Sequence, residues 1–151
     1  MKPIIAFQTF LLLLITACGC LILKGLLPSW LESVRVPIIC ALVGGLGGVT
    51  YCLRAVYLSA CVRKNWDDTW KPWYYIRPIV SGICGAVSFL FLKAGLLVLD
   101  ASQNADSNLL GFYTLSFIAG LNVDNFIKKL EDIAQATWGI KKSRVNQGDE
   151  E

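Results

Sequence analysis

Histidine is absent from this sequence and charged residues are scarce. The first absence removes the commonest general acid–base group and the commonest metal ligand. The second is measurable: Asp, Glu, Lys and Arg make up 17% of the 151 residues, against about 25% in an ordinary soluble domain. Catalytic patterns are missing too, with no GxSxG, Walker loop, HExxH or EF-hand spacing. The run Gly44-Gly45-Leu46-Gly47-Gly48 is glycine-rich but lacks the following Lys of a phosphate loop. Asp67-Asp68 lies between Lys64 and Lys71 and reads as balanced surface charge. The six cysteines (Cys18, Cys20, Cys40, Cys52, Cys61 and Cys84) have no metal-type spacing. All fall in or at the ends of apolar segments, as small buried thiols do. An enzyme, a cofactor and a metal are therefore not expected.

What the chain has is apolar length. Hydrophobic residues make up 55% of it, and a spanning helix needs about 20 mostly apolar residues. The pattern predicts an all-α integral membrane protein, with four transmembrane helices and a C-terminal amphipathic helix on the cytoplasmic side. The predicted spans are residues 4–23, 37–61, 78–99 and 109–123, and residues 124–138 form the amphipathic helix. Together they make one membrane domain over residues 1–139, followed by a disordered charged tail, 140–151. Within the first segment Ile15-Thr16-Ala17-Cys18 matches a lipobox. The apolar run continues past Cys18, so the segment is read as an uncleaved span. Between the first two spans, Ser29 and Glu32 have the spacing of a capping box and predict a short surface helix. Segment four is short, about 20 Å over its apolar residues 109–121, and either thins the bilayer, re-enters without crossing, or, the favoured reading, extends through Asn122, Asp124 and Asn125.

The stretch from Arg54 to Leu99 organises the rest. Trp66, Trp70, Trp73, Tyr74 and Tyr75 crowd together, interleaved with Arg63, Lys64, Lys71 and Arg77. Aromatic rings with polar tips settle at the headgroup layer, and Lys and Arg hold a loop on the cytoplasmic side. With the N-terminus inside, eleven of the 14 basic residues fall on the inner side. The expected location is therefore a bacterial inner membrane, multi-pass, with both termini cytoplasmic.

Small residues recur at spacing four: Gly44 and Gly48 on segment two, Ser81 and Gly85 with Gly82 and Ala86 on segment three. Such faces let two backbones approach closely, and these two should meet. Lys93 falls about 22 Å along segment three as read, where an ionisable group needs a partner or water. Asp100 and Asp106 are its candidate partners, and a pore lining is the alternative. Residues 124–138 place Phe126, Ile127, Leu130, Ile133, Ala134 and Trp138 on one face and Lys128, Lys129, Glu131, Asp132 and Gln135 on the other, the pattern of a helix lying on the cytoplasmic membrane surface, with a docking face for a partner helix as the alternative.

Two functions follow as expectations. The first is a homo-oligomeric pore-forming or membrane-perturbing protein built on Gly44, Gly48 and Lys93, the class to which holins and the membrane effectors of antiviral systems belong. The second is a membrane anchor that recruits a cytosolic protein, as in a two-gene antiviral system. It would use Trp66, Trp70, Trp73 and Arg77 with Lys128 and Lys129. The bilayer is the partner common to both, and nucleic acid is expected in neither.

Overall fold

The computed structural model describes residues 2–25, 28–64, 68–95 and 105–140. The described residues are helical, with no strands. Five α-helices follow in order: α1 (Lys2–Leu23), α2 (Arg35–Tyr57), α3 (Lys71–Lys93), α4 (Ala105–Leu121) and α5 (Val123–Trp138). Three helical stretches are long and apolar enough to cross a membrane: Lys2–Leu23, Leu31–Val62 and Lys71–Lys93. The apolar part of α4, Leu109–Leu121, is shorter.

At the core α2 packs on α3 and α4, which also touch each other, while α1 lies mainly along α2. Glycine explains why α2 takes the central place. A Cβ added at Gly44 would lie 2.6 Å from the Ser81 carbonyl oxygen and 2.7 Å from the Gly85 Cα. One at Gly48 would lie 2.5 Å from the Ser81 Cβ, and one at Gly47 would lie 2.8 Å from the Leu121 nitrogen. Gly45 faces the Ile15 side chain of α1 at 3.3 Å. Four small residues thus let three helices approach one backbone, which is how packing is gained when hiding apolar surface from water is not the driving force.

Around α2 and α3 the local structure departs from the sequence reading in part. Before α2, residues Ser29–Val34 form a 3₁₀ helix flanked by Pro28, without a side-chain cap. The carboxylate of Glu32 pairs with Arg35 at 3.2 Å; the Ser29 side chain of the expected capping box lies outside what the structure describes. Beyond Tyr57, α2 continues through a π-helical stretch, Leu58–Val62, so the helical run ends close to the expected residue 61. The largest correction concerns α3, which begins at Lys71 rather than Pro78 and ends at Lys93 rather than Leu99. Pro72 occupies the first turn, where a missing N–H is harmless, and Pro78 is interior. Gly95 at φ 73° follows the last turn in a left-handed conformation open to glycine.

The interior proline leaves the Tyr74 carbonyl without its usual i+4 donor. Gln8 of α1 supplies it: Gln8 Nε2 donates to the Tyr74 carbonyl oxygen at 2.5 Å, fully buried. Ile4, one turn earlier, packs with Cys52, Val56 and Tyr74. Between α4 and α5 the chain breaks at Asn122 (φ −119°, ψ 55°), within two residues of the expected division between segment four and the amphipathic helix; the alternative in which segment four extends unbroken through Asn122 is not what forms. Gly139 at φ 67° ends α5 as expected. The tail from residue 141 onward lies outside the described residues.

Candidate functional site

The end of the bundle where α2 finishes and α3 begins carries the densest chemistry. Its centre is Arg77, on the second turn of α3 and 6% exposed. Pro78 follows it and Tyr74 precedes it on the buried face of the same helix. The Arg77 guanidinium donates through one terminal nitrogen to both carboxylate oxygens of Asp124, at 3.2 and 2.9 Å. Its carbon stands 4.9 Å from the centre of the Tyr51 ring and 5.3 Å from that of Trp73. The positive group is thus held between two π faces and a carboxylate, the arrangement that best tolerates desolvation of a guanidinium. Arg77 Nε is buried without a partner. Asp124 leaves 74% of its side chain exposed, so the pair links a buried cation to a solvent-facing anion.

The pair fixes the start of α5. Val123 is buried in a cluster with Cys84 and Ala119, against which Val80 and Phe126 pack. Beyond this first turn the helix carries Lys129, Asp132 and Gln135 exposed on one side. Lys128 is half-buried. On the other side Ile127 and Trp138 are exposed, 37% and 60%.

The sequence reading placed Trp73, Tyr74, Tyr75 and Arg77 in a loop, whereas all four lie on α3. Trp70 stands just before the helix, 60% exposed and edge-on to Trp73 with ring centres 6.5 Å apart. Trp66 lies outside the described residues. Arg77 is a correction in kind as well as in place. Expected as an interfacial anchor or docking residue, it is buried and engaged within the chain, because Asp124, 47 residues away, supplies a counter-charge that no local spacing reveals.

The small-residue faces meet as expected. Gly44, Gly48, Ser81 and Gly85 form the α2–α3 contact, and a Cβ at Gly82 would approach the Ala41 carbonyl oxygen at 3.3 Å. Sequence reasoning missed the third partner. Gly120 of α4 lies against the Gly44 backbone, and Ser81 Oγ donates to the Gly120 carbonyl oxygen at 2.9 Å. Further along, the Ser88 and Ser116 hydroxyls meet at 2.9 Å, both fully buried. Hydroxyls facing carbonyls across tight helix contacts are a readable signal for such interfaces. Every glycine of the Gly44–Gly48 run is consequently engaged by α1, α3 or α4 within the same chain, so Gly44 and Gly48, the residues expected to build a homo-oligomer, are covered by α3 and α4.

Lys93 is the last residue of α3 and exposed, not a residue within the outer third of a longer helix. A cation at a helix C-terminus meets the negative end of the dipole, and its Nζ stands 5.7 Å from the Phe89 ring centre. Asp100 lies outside the described residues. Among the described residues no three Cys, Asp or Glu side chains converge as a metal site. No family model, curated protein or solved structure matches the chain.

Proposed function

We propose that this protein is a non-enzymatic, multi-pass inner-membrane anchor whose cytoplasmic end recruits a protein partner. The first three long helices span the bilayer, α4 completes a fourth crossing, and both termini face the cytoplasm. The docking surface is the polar face of α5, with Lys129, Asp132 and Gln135, together with the basic aromatic turn around Arg63, Lys64 and Trp70. One observation carries the reading: Arg77, Asp124 and the Val123 cluster tie the first turn of α5 to the bundle while its charged side stays exposed. A helix displayed from a fixed root offers a partner a preorganised surface, which lowers the ordering cost of association.

A photocrosslinking residue placed at 129, 132 or 135 in living cells tests it. The reading expects one discrete adduct, of the same mass from all three positions, that Lys129→Glu weakens. No adduct overturns it. A self-adduct of dimer mass, obtained instead from Ile83 or Leu90 on the exposed side of α3, favours the alternative of a homo-oligomeric pore.

A further inference from the structure

The second face of α5 has a different occupant. Phe126, Leu130, Ile133 and Ala134 are half-buried, and Ile127, Trp138 and the following Ile140 are exposed. Only Val123 and Phe126 belong to the packed cluster. The rest of this apolar stripe extends beyond it, and its neighbours in space are set by where α5 starts.

That level can be read from the helix register. The Leu121 nitrogen lies beside Gly47, and the exposed Arg54 stands seven residues further along α2, about 10 Å at helical rise. So α4 stops well short of the plane in which the chain places its basic residues. Asp124 reaches Arg77 under the Tyr51 ring. Trp73 is four residues before Arg77 on α3, about 6 Å nearer that plane. An amphipathic helix that starts there begins at the depth at which in-plane helices rest, about 5–10 Å into the headgroup and acyl boundary. The bundle itself also presents apolar side chains outward, Ile76 and Ile79 of α3 and Ile118 of α4 being exposed at 56%, 65% and 48%.

We propose that the apolar face of α5 is a lipid-binding surface, seated just below the headgroups of the leaflet that bears the basic residues, at a depth set by Arg77 and Asp124. The inference rests on the membrane reading above but uses the side of α5 opposite the docking surface. Phospholipid acyl chains are the occupant because the stripe starts beneath the Trp73 level, on a bundle whose α3 and α4 likewise expose apolar side chains.

The test uses the full chain in vesicles of phosphatidylethanolamine and phosphatidylglycerol, with Cys18, Cys20 and Cys61 replaced by Ser. A nitroxide is attached at Ile127→Cys or Trp138→Cys, and for comparison at Asp132→Cys or Gln135→Cys. Collision rates with oxygen, which enters lipid, and with a water-soluble nickel chelate report the surroundings. The expected result is a several-fold higher oxygen-to-nickel ratio at 127 and 138 than at 132 and 135. In an Asp124→Asn background that contrast should shrink; an unchanged contrast overturns the role of the pair in setting depth. Equal nickel access on both faces overturns the lipid seat. So does exclusion of both reagents from 127, which marks a protein partner. Spin–spin broadening at 127 that disappears on dilution with unlabelled chain overturns it in favour of a second copy. Crosslinks from 129, 132 and 135 report the docking surface separately, so failure of either proposal leaves the other measurable.

Discussion

Replacing Gln8 by Leu should weaken the fold by an amount that depends on a proline in another helix. Pro78 has no N–H, so the Tyr74 carbonyl takes its hydrogen bond from Gln8 Nε2 instead. An unmet buried carbonyl costs about 1–3 kcal/mol, and hydrogen bonds between membrane helices average about 0.6 kcal/mol with a maximum near 1.7. Gln8 Oε1 is itself buried without a partner, so Leu also removes one unmet acceptor and offsets part of the loss. A net cost of about 1 kcal/mol follows from these terms. In a Pro78→Ala background residue 78 regains its N–H and can serve the Tyr74 carbonyl from within α3. There the same Gln8→Leu change should be nearly neutral, leaving a coupling of about 1 kcal/mol in the double-mutant cycle. Any straightening of α3 caused by Pro78→Ala enters both arms and cancels. Reversible unfolding of the four proteins in mixed micelles, titrated with dodecyl sulfate, measures it. An equal cost of Gln8→Leu in both backgrounds would refute the account of why a glutamine sits in an apolar helix.

Other outcomes follow from the same packing. Asp124→Ala leaves the Arg77 guanidinium buried without its carboxylate; removing one partner of a buried pair costs about 3–5 kcal/mol, and the exposure of Asp124 reduces the expected loss to about 1–3 kcal/mol in the same micelle titration. Arg77→Met together with Asp124→Ala should recover most of it. Gly47→Leu and Gly120→Leu place side chains against backbone atoms of α4 and α2 respectively, so each should abolish the compact fold in detergent, read as loss of protease resistance, whereas Gly19→Leu, with no atom within 4 Å of an added Cβ, should be tolerated. A topology reporter after Glu151 should read cytoplasmic and one near Asn104 external; cytoplasmic signal at both sites means that α4 does not cross.

The contact between α2 and α3 was legible because its small residues repeat at spacing four on both helices, and that spacing is visible without a partner in hand. The contact with α4 bears the same mark, Ser116 and Gly120 being four apart, but one such pair on a short segment does not say which helix it meets; that emerges only when Gly44 and Gly47 are placed against it. The start of α3 was misplaced because two prolines compete for the same signal. Pro78 opens an apolar run and looks like a first-turn residue, while Pro72, which occupies that position, sits among tryptophans and charges that resemble a loop. Arg77 and Lys93 were each assigned a role by depth along a helix whose ends were set wrongly, and moving the helix toward the N-terminus by about two turns buried one and exposed the other. The partners of Arg77 and Tyr74 are distant in sequence, and long-range pairing of that kind leaves no periodic trace.

The glycine run of α2 also has a consequence for synthesis of the chain. Its backbone is covered from three directions, yet the covering helices emerge at different times. Helix α1 is already made when α2 leaves the ribosome, α3 follows, and the strip at Gly47 stays bare until Gly120 has been translated. At about 5–20 residues per second that wait lasts several seconds. During it a half-made protein displays a groove of naked peptide backbone that any passing helix with small residues can enter. The nascent chain therefore has a defined window of vulnerability, closed only by its fourth long segment, and a message truncated before α4 should yield a product that quality-control proteases remove rapidly.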